Sequence, residues 1–343
     1  MGTPRHHHPL RRRAGQLLGV AALAPAVLLT AQAGPARAFG TVSAFGQHAE
    51  HEAITRAALA CAPGTRSDGT CFEPRSLDQL AGHKRTFGAV GAPDTDEIVV
   101  PAAHCDNADF LTTPGYPRDR ADATRQLLAC IARLQTRFTE GVTAAGGTVA
   151  ADGEVVPGEN DLTRDCTFTL GIRGRDKCEA IEGLGRALHG VQDFYSHSNW
   201  TDKAAGGPLG KDNPPGLGRP APSPLLALGT GRPPAAPSVP ADLTTGCFSL
   251  LPLGCARHVQ HAGLNKDTGV IDPATGATGG PTTPRGKVAG NFDRAVQGAI
   301  TDTRRQWADF RAALTARYGK DRAETIGCAL THDAPARDCA PKS

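Results

Sequence analysis

The 343-residue chain is poor in aromatic residues, which make up 5% of it, with two tryptophans, three tyrosines and a single methionine. So few aromatics leave little material for the base-stacking platforms of single-strand nucleic-acid binders. No CxxC pair occurs, which argues against zinc-thiolate sites, and no GxSxG occurs, which removes the nucleophile elbow of a serine hydrolase. Beyond the first 38 residues no stretch is long and apolar enough to read as a membrane span. Nowhere is there the sustained alternation of apolar and polar residues that a half-buried sheet would show.

The chain also has little net charge. The formal balance is +3, yet the first 38 residues carry Arg5, Arg11, Arg12, Arg13 and Arg37 and no acid. They have the layout of a signal peptide: a cationic start ending at Arg13, an apolar stretch from Leu17 to Thr30 broken by Pro25, and a small-x-small site at Ala36-Arg37-Ala38. Cleavage after Ala38 is expected to expose Phe39 and to leave 32 basic against 34 acidic residues, a mature chain near −2. A basic nucleic-acid-binding face then has no compositional support. The three consecutive arginines permit twin-arginine export as well as the general route.

What the sequence does have is ten cysteines, all after residue 60, and twelve histidines, nine of them after residue 38. An even cysteine count in an exported chain points to disulfides. Sequential pairing would join Cys61 to Cys71, Cys105 to Cys130, Cys166 to Cys178, Cys247 to Cys255 and Cys328 to Cys339, although sequence alone leaves other connectivities open.

Apolar residues recur at helical spacing over 47–60, 74–87, 119–140, 176–198 and 289–318, so the expected fold is all-α, one domain over 39–343. Residues 141–160 and the Pro/Gly-rich 204–246 are expected to be surface loops that bury little, with 268–287 as a third.

Four segments hold the chemistry. In "LGRALHGVQDFYSHSNW", residues 184–200, His189, Asp193 and His197 stand four apart on an expected helix and therefore share one face. Imidazole and carboxylate on one face suit zinc; the bland alternative is a polar stripe bonded within its own helix. In "GQHAEHEAITRAAL", His51 opens a helix just where its buried face begins, while His48 and Glu50 read as solvated first-turn residues. "GAPDTDEIVVPAAHCDNADF" supplies Asp94, Asp96, His104, Asp106 and Asp109 in a loop-like stretch without the pattern of a calcium-binding EF-hand. "CARHVQHAGLNKD" adds His258, His261, Asn265 and Asp267. His83 and His332 have no supporting neighbours and read as surface residues.

In this order the four segments resemble the zinc-dependent phospholipase C and S1/P1 nuclease superfamily, and within it the Het-C-like and CinY-type secreted proteins. The resemblance implies a multi-helix bundle with long Pro/Gly-rich loop insertions and disulfides, holding one to three zinc ions at the base of a cleft. Residue by residue it implies His51 as the early histidine ligand, Asp94 and His104 as the loop ligands, His189, Asp193 and His197 as the core-helix ligands, and His261 as a later one. It also implies that Phe39, as a mature N-terminus, would ligate through its amino group and carbonyl. The final His-x-x-x-Glu of the superfamily is missing; His261 with Asn265 or Asp267, then Asn291 and Asp293, are its nearest substitutes.

The activity implied is secreted, zinc-dependent phosphoester hydrolysis of the phospholipase C kind by metal-activated water, with Asp94 as general base or bridging carboxylate. The substrate expected is a phospholipid or small phosphoester, with peripheral membrane contact. A non-catalytic zinc-binding interaction protein and an S1/P1-type nuclease are the alternatives, nucleic acid being the weaker partner on composition.

Overall fold

The computed structural model describes residues 1–2, 39–41, 48–84, 86–112, 116–170, 172–232, 234–235, 238–249 and 254–339. The expected signal peptide therefore lies, but for its first two residues, outside the described residues. Helices dominate what is described. In chain order they are α1 (Glu50–Leu59), α2 (Pro74–Ala81), the single turns α3 (Gly88–Gly91) and α4 (Pro93–Asp96), α5 (Arg120–Ala145) and α6 (Asp176–His197). After a long connection come the turns α7 (His261–Leu264) and α8 (Pro284–Lys287), then α9 (Asn291–Tyr318), α10 (Lys320–Thr331) and α11 (Pro335–Asp338). A two-residue antiparallel pair, β1 (Val270–Ile271) with β2 (Thr278–Gly279), is the one sheet among the described residues. No described helix is long and apolar enough to cross a membrane.

The architecture is organised around α6. From Leu184 to His197 every residue is buried, so the helix has no solvent face and must be surrounded. α5, α9 and the α3 turn pack on it. Glycine permits two of these approaches: a Cβ on Gly183 would stand 2.4 Å from the backbone nitrogen of Gly141 on α5, and one on Gly185 would stand 2.4 Å from the Ala89 Cβ on α3. The second contact brings the segment before Asp94 directly onto the helix that carries His189.

The five disulfides join the cysteines sequentially, Cys61–Cys71, Cys105–Cys130, Cys166–Cys178, Cys247–Cys255 and Cys328–Cys339. They fit a chain that matures in an oxidising compartment outside the cytosol.

Two expected surface loops are exposed over much of their length but each sends a part into the core. Residues 141–145 continue α5, and Thr148 and Val149 beyond them are buried. The 204–246 stretch has little regular structure but inserts Leu225, Leu226 and Leu228 into the main apolar cluster through short 3-10 turns, and Val239 and Leu243 from irregular backbone beyond them. Its backbone is secured by side chains, with Arg305 donating to the carbonyls of Ser223 and Leu226 at 2.9 Å each. α10 lies beyond the last expected helix, and 268–287 contains the β pair and α8 rather than only loop. His332 is buried, contrary to its expected surface position, and Glu50 is buried rather than solvated, accepting from the Gly269 and His48 amides.

Candidate metal centre

Three non-glycine residues with left-handed backbone set up the site. Ala49 (φ 53°) turns the chain into α1 so that His51 faces inward, and Cys105 (φ 56°) and Asn107 (φ 70°) flank Asp106. Such conformations cost about 1–3 kcal/mol and persist only where the surroundings enforce them. Here the Cys105–Cys130 disulfide ties the loop to α5, and the Asn107 amide donates to the Gly246 carbonyl at 2.7 Å. The loop thereby sends His104 and Asp106, two residues apart, into two adjoining clusters.

The first cluster centres on Asp193, whose carboxylate is wholly buried. Its oxygens lie 3.2 Å from His51 Nε2, 2.9 Å from His104 Nδ1 and 3.0 Å from His189 Nε2. Asp94 Oδ1 stands 3.7 Å from His189 Nε2 and 3.9 Å from His104 Nδ1.

The outer nitrogens of these rings fix their tautomers. His189 Nδ1 donates to the Val90 carbonyl at 2.8 Å, and His104 Nε2 to the Glu97 carbonyl at 3.3 Å. His51 Nδ1 donates to Gln192 Oε1 at 2.8 Å, the amide group of Gln192 being turned by its own bonds to Thr55 and Thr303. In the neutral rings three lone pairs therefore point inward, and those of His189 and His104 face each other across 2.9 Å. Lone pairs set against each other and against carboxylates attract only if a proton or a cation lies between them. His51 Nε2 and Asp193 Oδ1, although close, make no hydrogen bond and are buried without a partner.

The second cluster lies one helical turn along α6, about 6 Å on by helix geometry. His197 Nε2 is 3.1 Å from Asp267 Oδ1, and its Nδ1 is 3.4 Å from Asp106 Oδ1. His261 Nδ1 is 3.2 Å from Asp106 Oδ1 and its Nε2 is 3.7 Å from Asp267 Oδ2, the two rings packing at 4.0 Å between centroids. His197 Nδ1, His261 Nε2 and Asp267 Oδ2 are again buried and unpartnered.

Charge and burial compete at both clusters. Burial opposes the imidazolium of His197, but Asp267, Asp193 and Asp106 outweigh it and hold its pKa well above the ordinary value. Burial likewise opposes ionisation of Asp193, yet the facing histidines keep its pKa well below that of a free carboxyl. His189, where burial prevails, is pushed down. A site that accumulates this much carboxylate in the interior favours positive charge.

Three ligand groups within the clusters can each hold a metal ion: His51, His189 and Asp193; Asp94, His104 and His189; and Asp106, His197 and His261. The sequence motifs thus meet in space. Phe39 is fully buried with its ring 5.8 Å from that of His51, and the Gly40 carbonyl accepts from the His51 amide at 3.2 Å. The Thr41 hydroxyl donates to Asp94 Oδ2.

Other candidates go elsewhere. Asp96 pairs with Arg186 at 2.8 Å, Asp109 with Tyr116, Asn265 accepts from the Asp267 amide, Asn291 holds the Lys203 backbone, and Asp293 accepts from Thr278. Asp106 is the member that spacing does not single out; its place two residues after His104 is the one signal that points to it.

Only Asp94, with 18% of its side chain exposed, and marginally His104 open the first cluster to solvent. The second is closed, Asp267 and His197 being at most 1% exposed. No protein family, characterised protein or solved structure matches the chain.

Proposed function

We propose that the chain is an exported zinc-dependent phosphoester hydrolase of the phospholipase C kind, related to the zinc phospholipase C and S1/P1 nuclease superfamily and nearest its Het-C-like and CinY-type members. The observation that carries this is the inward convergence of His51, Asp94, His104, His189 and Asp193, brought from three separate stretches of sequence with their outer ring nitrogens already bonded. Nitrogen and carboxylate donors without sulfur suit zinc at a site with one open side. His51, His104, His189, Asp193 and Asp94 would hold it in the first cluster, and Asp106, His197, His261 and Asp267 in the second.

Bound there, zinc supplies Lewis acidity toward water and toward phosphoryl oxygens. The protein's part is positional. The Val90, Glu97 and Gln192 oxygens lock the three imidazoles, and α6 fixes Asp193 between them. Asp94 is the carboxylate that faces solvent; with Oδ2 engaged by Thr41, its Oδ1 is left to accept the proton of an attacking water or to bridge. Ile98 and Val99, half-exposed and between Asp94 and His104 in sequence, are apolar groups that would suit contact with a lipid substrate. Trp200 and Trp307 are buried in the core and offer nothing to stack a base on, which sets the nuclease alternative lower.

Cleavage after Ala38 would place a free amine at Phe39, beside His51, where the uncleaved chain has an amide. Equal zinc content in cleaved and uncleaved protein would remove this activating role. A second reading applies to the Asp106/His197/His261/Asp267 cluster, whose closure favours a structural ion over a catalytic one.

Hydrolysis of phosphocholine esters and of single-stranded nucleic acid by the mature protein, beside His189→Ala, tests the activity. Turnover of the ester lost in the variant is expected. Full zinc occupancy with no turnover of either substrate would leave the non-catalytic zinc-binding interaction protein.

A further inference from the structure

A third kind of ligand group lies by the N-terminal end of α6, away from the end that carries His189, Asp193 and His197. Cys328, His332 and Cys339 have their sulfur and ring-nitrogen atoms all within 4.8 Å of one another, and no other described disulfide has a histidine so placed. In the oxidised chain the two sulfurs are bonded to each other, and neither carries the thiolate charge that binds metal.

The groups around this disulfide hold the three side chains without help from the S–S bond. Cys328 and His332 stand one turn apart at the end of α10, with His332 Nδ1 3.4 Å from Cys328 Sγ. The backbone at His332 is pinned by the buried Lys177, whose Nζ donates to the His332 carbonyl at 2.7 Å. Asp333 next to it accepts from the Arg75 and Ser76 amides at 3.1 and 2.8 Å, capping α2. Cys339 directly follows α11, whose Asp338 pairs with Arg66 at 2.6 Å.

His332 is also free to turn its lone pair to a metal. Its Nδ1 lies 3.0 Å from the Cys328 carbonyl, but that oxygen already accepts from the His332 amide at 3.0 Å, so releasing Nδ1 orphans nothing. Its Nε2 faces Glu73 Oε1 at 3.9 Å, and the Asp333 amide holds the other oxygen of that carboxylate at 2.8 Å. A carboxylate behind the far nitrogen of a ligating histidine fixes its tautomer and strengthens it as a ligand. A surface cavity of about 1120 Å³, lined in part by Asp68, Lys320, Cys328, His332 and Cys339, gives access.

We propose that Cys328, Cys339 and His332 form a redox-gated thiolate site for one zinc-type divalent cation, with Glu73 orienting the histidine. A dithiol reductant breaks the S–S bond: two electrons and two protons pass to the cysteines, and the dithiol leaves as its own disulfide. Entry of the cation then releases both thiol protons to solvent. Two thiolates neutralise the ion, which suits a site where His332 and Cys339 are buried.

Cobalt(II) is the probe, because sulfur ligation gives a near-ultraviolet charge-transfer band that the His and Asp clusters cannot give. Dithiol-reduced protein that keeps its far-ultraviolet dichroism is expected to show that band by the end of a Co²⁺ titration, once the His and Asp clusters are also filled, and the oxidised protein none. Cys328→Ala/Cys339→Ala should abolish it with the other eight cysteines present, and Glu73→Gln should weaken Co²⁺ binding by about 10–100-fold. A band unchanged in the double variant, or none in folded reduced protein, overturns the proposal. Cys339→His needs no reductant and leaves the other four disulfides intact. A one-thiolate band is expected from it, and its absence in the folded variant overturns the proposal whatever reduction does to the native chain.

Discussion

Replacing Cys105 and Cys130 together by alanine cuts the tie between α5 and the loop that serves both metal clusters. The bond closes a loop of 25 residues, for which chain entropy alone predicts a loss of about 3.5 kcal/mol. The bond between Cys166 and Cys178, 12 apart, is worth about 2.8 kcal/mol on the same relation, and neither cysteine adjoins a metal-cluster residue in sequence. Stability alone would therefore barely separate the two double variants. Zinc separates them: His104 and Asp106 flank Cys105 and its strained backbone, so freeing this loop loosens one ligand in each cluster. Urea unfolding in chelator should show both losses. Zinc titration against a competing chelator should show an affinity drop of about tenfold or more, some 1.4 kcal/mol, at both clusters for the Cys105/Cys130 variant only. Unchanged zinc affinity in that variant, with the stability loss present, would refute the idea that the disulfide holds the loop's geometry.

Two other predictions follow from the interior charges. Burial pushes Lys177 from its ordinary 10.5 down to about 7, so between those values the unfolded chain binds more protons than the folded one, and stability should rise with pH. The part due to Lys177 approaches about 1.4 kcal/mol per unit above pH 7 and is lost in Lys177→Met, whose slope is therefore the smaller; urea midpoints at pH 6 to 9 check it, and equal slopes in both proteins would contradict it. Arg186, buried on α6, holds Asp96, Glu97 and Glu182 at 2.8–2.9 Å and so anchors the turn that carries Asp94. Arg186→Met should cost about 1–3 kcal/mol by removing the charged partner of Asp96 and Glu182, Glu97 keeping Arg133 and Arg137, and should weaken zinc at the Asp94 cluster more than at the Asp106 cluster. Equal weakening at both would contradict the anchoring role.

The helices around the site are legible in the sequence because their apolar spacing is regular: the α6 and α9 boundaries lie within two residues of expectation. The four-residue steps of His189, Asp193 and His197 likewise put three ligands on one face by spacing alone. Periodicity fails where burial is achieved without it. Leu225, Leu226 and Leu228 enter the core from 3-10 turns in a Pro/Gly-rich stretch, and no window of that composition signals a buried face. α10 escapes the pattern because Gly319 ends α9 and Gly327 with a short polar run obscures the next helix. Asp106 and Asp267 depend on tertiary placement, through a left-handed residue and a turn after α7, and those are not encoded as spacing.

The central claim is that the Asp193 and Asp106 clusters bind metal. Native mass spectrometry of the chain beginning at Phe39, saturated with zinc and desalted, reads it most directly beside Asp193→Asn. Two or three ions are expected on the native chain, with the variant keeping the ion held by Asp106, His197 and His261 and losing the rest. A folded chain that retains no zinc, or a variant with the same count as the native protein, would contradict it.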